Sequence, residues 1–174
     1  MFQTHYAGKV RSAERSRARF SQENRTYFLY NPPTYEKYKT GLINFFNTYE
    51  NDDSLAELFD PNKIVYGLSV KLIFKIKSRG KNPFHGRRPD VDNLYKAVAD
   101  SLFQSNVNLI PDGDAMDKEG NLITDEHGNP MPKYKQKIDD SRIIHTEILK
   151  LRVDTKEEEG FSITIRNVGK EDIQ

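Results

Sequence analysis

Four charged residues of the chain have the types and the spacing that phosphodiester hydrolysis needs. Asp90 and Asp92 flank a single residue, and Lys96 follows Asp92 by four positions. Residues two apart in an extended segment point to the same side, so both carboxylates can face one point. The spacing of Asp92 and Lys96 places two side chains on one face of a helix. Asp140, the fourth residue, precedes a predicted strand that could bring it beside this helix.

Three carboxylates gathered in this way would need a cation between them. Without one they repel each other, which raises the pKa of at least one of them and destabilises the fold. Mg²⁺ prefers carboxylate and water oxygens, and it can bind a phosphate while it activates a water molecule. The sequence contains no cysteine, which excludes thiolate zinc sites and cysteine nucleophiles. We therefore predict a magnesium site, in which manganese could substitute, and a lysine that stabilises charge on the reacting phosphate.

Plainer interpretations of the same residues stay open. Asp92 and Asn93 could cap a helix, because short polar side chains favour that position. Asp92 and Lys96 could form a surface pair that stabilises the helix by about 0.3–0.5 kcal/mol. Asp139 and Asp140 could form a solvated turn. The spacing alone does not show that Asp140 approaches the first two aspartates.

The basic residues fall into two segments, although the formal net charge is only +1. Residues 9–19 carry five basic side chains against Glu14 alone, and residues 71–88 carry seven with no acid. Segregation of this kind favours a polyanion bound on one face, and a solvated basic loop is the alternative. The residues that we predict to contact the phosphates of such a polyanion are Arg15, Arg17, Arg19, Lys77, Arg79, Lys81, Arg87 and Arg88.

Hydrophobic periodicity and turn residues predict the elements that must position these side chains. Period-two patterns predict strands at 25–30, 64–77, 143–153 and 161–166. Helical spacing predicts helices at 34–51 and 91–103, with a short helix or turn at 54–62. Residues 80–89 form a loop rich in glycine and proline, and residues 106–137 form an inserted β-ribbon. The predicted fold class is α/β, of the two-layer α+β type, with a mixed β-sheet and helices packed mainly on one face.

The length of 174 residues suits one domain, which we assign to residues 1–174 with an insertion at about 106–137. No window approaches the roughly 18 consecutive apolar residues of a membrane span. Residues 1–8 lack the apolar core of a signal peptide. We therefore expect a cytoplasmic protein that has no membrane partner.

Aromatic and imidazole side chains give weaker signals. Phe20, Tyr27 and Tyr30 lie near the arginines and could stack on exposed bases, but we favour core packing for them. The four histidines lack zinc-ligand spacing, so we favour surface or core roles. His85 could contact a phosphate, since it lies in the basic loop.

Two stretches of the sequence resemble a known family. The first is Arg88-Pro-Asp-Val-Asp-Asn-Leu-Tyr-Lys-Ala-Val-Ala-Asp-Ser-Leu, and the second is Asp139-Asp-Ser-Arg-Ile-Ile. They are similar to the signature of the RusA family of Holliday junction resolvases. In that pattern an aspartate pair around one residue precedes asparagine, lysine and a further aspartate, and a later Asp-Asp pair precedes a strand. Residues 17–21, 26–27 and 31–35 also resemble the opening of phage-type members.

The resemblance implies roles for individual residues. Asp90, Asp92 and Asp140 would bind Mg²⁺, and Lys96 would be the catalytic lysine. Asp100, Asp139 and Asn93 match family positions that would support this set. The clearest departure is the long insertion at 106–137, because family members usually pass from the helix to the Asp-Asp pair in a short turn.

The implied substrate is branched DNA, the four-way Holliday junction, and the implied source is bacterial or phage. Resolution requires paired cuts in two opposed strands, whereas one chain offers one acidic cluster. We therefore expect a homodimer whose two-fold symmetry matches that of the junction. The alternatives are a nuclease that acts on flaps or replication forks, and a branched-DNA-binding protein that does not cut. Asp90→Asn would leave the function of such a binding protein unchanged.

Overall fold

The computed structural model describes residues 1–23 and 25–173. Within them the strands are β1 (Phe2–Ala7), β2 (Arg17–Ser21), β3 (Thr26–Tyr30), β4 (Leu68–Lys77), β5 (Leu109–Asp114), β6 (Pro132–Gln136), β7 (Ile143–Val153) and β8 (Gly160–Asn167). The α-helices are α1 (Pro33–Asn47), α2 (Asp53–Leu58) and α3 (Val91–Phe103). No helix in this part of the chain has the length and the apolar character that crossing a membrane requires.

A mixed four-stranded sheet forms the centre of the fold, with the strand order β1-β8-β4-β7. β4 pairs with β7 in parallel and with β8 in antiparallel orientation, and β1 is antiparallel to β8. Every second residue of β4 from Leu68 to Ile76 is buried, whereas Lys71 and Lys77 on the other side are exposed. The buried side packs against Leu42 of α1 and Val98 of α3 in one core. The predicted fold class, a mixed sheet with helices on one face, is confirmed.

Sequence analysis did not anticipate two features of the strands. The predicted strand at 25–30 is confirmed as β3, but it pairs with β2 in a separate two-stranded sheet and does not join the central sheet. β1 was not predicted, because only Phe2 and Tyr6 of its inward-facing residues are large and apolar, so its alternation is weak. It is nevertheless an edge strand of the central sheet, where its rings pack against the core.

The insertion forms the predicted ribbon, in which β5 pairs with β6. Beyond these strands, Asp117 and Asp125 each accept backbone hydrogen bonds within a tight turn and so stabilise two similar loops. Ala115, Ile123 and Met131 are joined by a closed ring of three backbone hydrogen bonds, each of 2.8 Å. The two short repeats in the sequence therefore become two stacked turns at the end of one ribbon.

Asn108 holds the base of the ribbon. Its side-chain amide donates to the carbonyl oxygens of Phe103 and Ile138, both at 3.0 Å, and its carbonyl accepts from the Ile138 backbone N–H at 3.0 Å. The Asn108 side chain is fully buried, so water cannot replace these bonds. Asn108 thus ties the end of α3 to the residue directly before Asp139.

Replacing Asn108 by leucine should destabilise the protein strongly. The change leaves the backbone N–H and carbonyl oxygen of Ile138 without partners, at about 1–3 kcal/mol for each unpaired group, whereas the Phe103 carbonyl oxygen still accepts from the Gln136 amide. We expect the free energy of unfolding in urea to fall by at least about 2 kcal/mol. Asn106→Leu, at an exposed position nearby, is the matched control and should change stability by less than about 0.5 kcal/mol. Equal losses in the two variants would contradict the assigned role.

Candidate active site

The first two aspartates lie where the basic loop enters α3. Asp90 is the residue before the helix and has extended backbone angles, φ −72° and ψ 148°, whereas Asp92 already belongs to the first helical turn. Both side chains are exposed. Neither carboxylate makes a hydrogen bond or an ion pair within the part of the chain that the structure describes. The partial positive charge of the helix N-terminus is therefore the main local stabilisation of their negative charge.

Residues 80–89 follow the outer edge of β7. The backbone N–H of His85 donates to the Lys150 carbonyl oxygen at 3.0 Å, and the Arg152 N–H donates to the Pro83 carbonyl oxygen at 2.7 Å. The Lys150 ammonium donates to the carbonyl oxygens of Arg87 and Pro89, both at 2.8 Å. Lys150 thereby fixes the backbone directly before Asp90. Sequence analysis missed this residue, because it lies far along the chain in a strand with no distinctive motif.

His85 is a structural residue of the same loop. Its Nε2 donates to the Arg88 carbonyl oxygen at 3.0 Å, and its Nδ1 forms a hydrogen bond of 3.1 Å with the Ser78 hydroxyl. The side chain is buried and both ring nitrogens have partners. The favoured core role of His85 is therefore confirmed, and its contact with a phosphate stays a prediction.

Several of the predicted phosphate-binding residues lie together on this loop. Arg79, Lys81 and Arg87 line one open pocket of about 340 Å³. Arg152 of β7 also lines it, but its guanidinium is bonded to the carbonyl oxygens of Ser78 and Asn82 and paired with the Asp154 carboxylate, so it supports the loop. Lys77 ends β4, and Arg88 is exposed just before the candidate acids. The three guanidinium or ammonium groups of Arg79, Lys81 and Arg87 around one concave surface suit phosphate oxygens.

The remaining predicted DNA-binding residues lie on and beside a protruding hairpin. β2 carries Arg17 and Arg19, Arg15 lies two residues before it, and none of the described side chains of the hairpin β2–β3 is buried. Phe20 is 47% exposed and Tyr27 is 73% exposed, and their ring centroids lie 5.1 Å apart. The expectation of core packing for these rings was wrong. The reason is that the hairpin forms its own small sheet, so neither of its faces meets the core.

Asp140 meets the other end of α3. Asp100, Asp139 and Asp140 line a polar pocket of about 210 Å³ together with Gln104 and Gln136. Hydrogen bonds from the side chain and from the backbone N–H of Ser141, the latter at 2.9 Å, hold the pKa of the Asp139 carboxylate below its usual value. Asp139 thereby begins the short 3-10 helix Asp140–Arg142 that leads into β7.

Tyr95 and Lys96 also face this second acidic group. Burial raises the pKa of the Tyr95 hydroxyl, and the charges of Asp140 and Asp100 raise it further. The Lys96 ammonium lies 3.9 Å from a carboxylate oxygen of Asp100. The predicted approach of Asp140 to α3 is therefore present, but Asp100 and Tyr95 are the residues beside it.

The three aspartates predicted to bind magnesium are not gathered within one protomer. Asp90 precedes Asp100 by ten residues, which corresponds to about 15 Å along a helix. Among the described residues, no group of three or more acidic or histidine side chains is close enough to hold a metal ion. The chemistry of the donors, exposed carboxylate oxygens without thiolates, still fits a hard cation such as Mg²⁺.

Lys150→Met should impair DNA cleavage by loosening the backbone before Asp90. A displacement of about 1 Å in a catalytic group can reduce the rate about 100-fold, and we expect a loss approaching that size. Trypsin should also cut faster after Arg87, because Arg87 loses its anchor. Lys75→Met in β4 is the matched control, and it should change neither rate. If the two variants behave alike, Lys150 does not position the loop.

Comparison with known proteins identifies the family. The family model described as Endodeoxyribonuclease RusA matches residues 10–115, which is more than half of the chain. The matched range contains Asp90, Asp92, Lys96 and Asp100, and it ends inside the ribbon, before the Asp139-Asp140 pair. No curated protein matches the chain. The chain belongs to the RusA family of endodeoxyribonucleases, the Holliday junction resolvases.

Proposed function

We propose that this protein is a magnesium-dependent endonuclease that resolves four-way DNA junctions by paired phosphodiester cuts. The observation that carries the proposal is the pair Asp90 and Asp92. These two exposed carboxylates have no cationic partner among the described residues, although a loop rich in arginine and lysine ends beside them. Side chains that serve only stability would be expected to pair with such neighbours.

Asp90, Asp92 and Asp140 are the residues that we assign to the metal. A bound magnesium ion supplies positive charge to the phosphate and acidifies a water molecule. Asp140 of the same protomer lies beside Asp100 and Tyr95 and forms no metal-holding group with Asp90 and Asp92, so a second protomer or a rearrangement would have to bring the third carboxylate to them. A second protomer satisfies the requirement without moving α3, which the core holds in place.

Lys96 is the residue that we assign to charge stabilisation during cleavage. Its side chain is 65% exposed, and its nearest carboxylate, that of Asp100, lies at the long distance of 3.9 Å. An exposed pair of this kind contributes little stability, so the ammonium is available to a phosphate. It would offset the negative charge that grows on the leaving oxygen.

The basic side chains of the loop 80–89 and of the hairpin β2–β3 would bind the phosphates of DNA. The pocket lined by Arg79, Lys81 and Arg87 belongs to the loop that leads into Asp90, and Arg87 precedes Asp90 by three positions. A DNA strand bound to this loop would therefore approach the carboxylates. The hairpin β2–β3 adds Arg17 and Arg19. Affinity for DNA should therefore fall steeply with salt concentration. A homodimer would provide the two opposed sites that paired cuts require.

The decisive assay compares synthetic four-way junctions, linear duplex and flap DNA, each with and without Mg²⁺. We expect cleavage of junctions alone, only with the metal, and at symmetrically placed positions. Lys96→Ala should lower the rate at least about 100-fold, as removal of one transition-state donor does in other enzymes. Lys37→Ala on the exposed side of α1 is the control. Preferential cutting of flaps, or binding without cutting, would instead support one of the two alternatives.

Removing one carboxylate should separate catalysis from binding. Asp90→Asn or Asp140→Asn should abolish cleavage and retain or tighten junction binding, because less negative charge faces the DNA. Asp140→Asn should also raise the melting temperature of the metal-free protein, because the carboxylates of Asp100 and Asp139 line the same pocket. Asp90→Asn should not raise it, because the helix N-terminus stabilises that charge. Asp114→Asn in the exposed ribbon is the control. A lower melting temperature for Asp140→Asn would show that the three carboxylates of this pocket do not repel one another.

The exposed rings of the hairpin give a further test. Unpaired bases at a branch point can stack on Phe20 and Tyr27, whereas bases inside a duplex are already stacked. The double variant Phe20→Ala, Tyr27→Ala should weaken junction binding about 10- to 100-fold and duplex binding much less. Tyr134→Ala, also an exposed ring, is the control. Equal losses on junction and duplex would show that the rings do not contact bases.

A further inference from the structure

One half of the outer edge of β7 has no partner. β7 pairs with β4 along its inner edge. On the outer edge, Lys150 and Arg152 are hydrogen-bonded to the loop at Pro83 and His85. Residues 143–149 make no backbone hydrogen bond on that side within the described part of the chain. A seven-residue length of strand edge is thus open.

This open edge lacks most of the features that protect isolated strand edges. Natural edge strands carry lysine or proline, are twisted away by bulges, or are covered. Residues 143–149 contain no lysine or proline, and Ile144 is 56% exposed and Leu149 is 36% exposed. One register shift occurs at its very start. The opposite edge of the sheet, β1, instead exposes Gln3, His5 and Ala7. The apolar edge is therefore that of β7, and it requires a cover.

The backbone fixes the possible register of an added strand. The backbone N–H and C=O groups of Lys150 and Arg152 point to the outer edge of β7. Because this direction alternates along a strand, the backbone groups of Thr146 and Ile148 point the same way. The loop blocks pairing from Lys150 onwards. The open length 143–149 has Thr146 at its midpoint. A second copy added antiparallel about a two-fold axis would therefore exchange two backbone hydrogen bonds at Thr146.

The side chains are complementary in this register. His145 of one copy lies opposite Glu147 of the second copy, whose carboxylate also pairs with Lys71 of its own chain at 2.7 Å. Ile144, the extra residue at the register shift of β7, lies near Ile148 of the second copy. Cross-strand pairs of these kinds stabilise sheets, whereas like charges in direct opposition destabilise them. An axis at Glu147 would place that carboxylate opposite itself and would require the blocked Lys150 edge. The register centred on Thr146 is therefore favoured over its neighbours.

We propose that two copies of this chain associate through the open edges of β7, with Thr146 on the two-fold axis, to form a continuous eight-stranded sheet. This inference names the surface of the homodimer in the proposed function and so rests on it. It also agrees with the proposed metal site, because the register directs the Asp140 end of one β7 toward the Lys150 end of the other. At the Lys150 end, the Lys150 ammonium holds the Pro89 carbonyl oxygen, directly before Asp90.

A single engineered cysteine tests the register, because the chain contains no cysteine of its own. Facing residues in an antiparallel hydrogen-bonded pair have Cα atoms about 5.5 Å apart, within the range of disulfides. Mild oxidation of Thr146→Cys should give a disulfide-linked dimer in high yield. His5→Cys, on the other edge of the sheet, is the matched control and should remain largely uncrosslinked.

A charge placed on the open edge tests the same surface by sedimentation. Ile144→Asp should shift the protein to monomer, with a dissociation constant raised at least about 100-fold, since a buried unpaired carboxylate costs several kcal/mol. Leu122→Asp in the ribbon is the control, since Leu122 is 51% exposed and lies off the edge. The control should sediment like the wild type.

The outcomes separate the interface from the catalytic proposal, because neither test uses DNA or metal. A wild-type dimer in which Thr146→Cys crosslinks no better than His5→Cys would place the interface elsewhere and overturn the inference. A wild-type protein that is monomeric at all measured concentrations would overturn it as well. A dimer crosslinked through Thr146 that cuts no junction would leave the interface standing and remove the proposed function.

Discussion

The parallel pairing of β4 with β7 is the constraint on which the rest of the fold depends. Parallel neighbours cannot be joined by a tight turn, so the chain must cross the sheet between them. Here the crossing carries the basic loop, α3 and the ribbon. α3 therefore begins beside the end of β7 and finishes beside its start. This topology sets the two groups of candidate acids at opposite ends of one helix.

Two buried or half-buried polar side chains fix the backbone next to the two groups of candidate acids. Lys150 holds the backbone that leads into Asp90, and Asn108 holds the backbone that leads into Asp139. Each of them satisfies main-chain groups that would otherwise lack partners, which makes such contacts expensive to lose. Neither residue touches the reacting groups, yet both determine where the acids lie.

Strong periodicity explains which features could be predicted from sequence. β4, α3 and β7 have long regular patterns, and Asp90, Asp92 and Lys96 were correctly placed at the start of a helix. Asp140 was correctly placed before a strand, but its distance from Asp90 depends on the direction of α3 along the sheet. The roles of Lys150 and Asn108 arise from contacts between distant segments, which no local pattern encodes. The exposed rings of β2–β3 were misjudged because composition does not reveal whether a hairpin meets the core.

Because of the hydrogen bonds of Asn108, the length of the insertion does not affect the positions of the candidate catalytic residues. Both ends of the ribbon meet at this residue, so additional turns between them change the reach of the ribbon but not the path from α3 to Asp139. The entropy of closing a longer loop is small, about 0.6 kcal/mol for each doubling of length. Evolution can therefore vary this appendage freely while the nuclease scaffold beneath it stays unchanged.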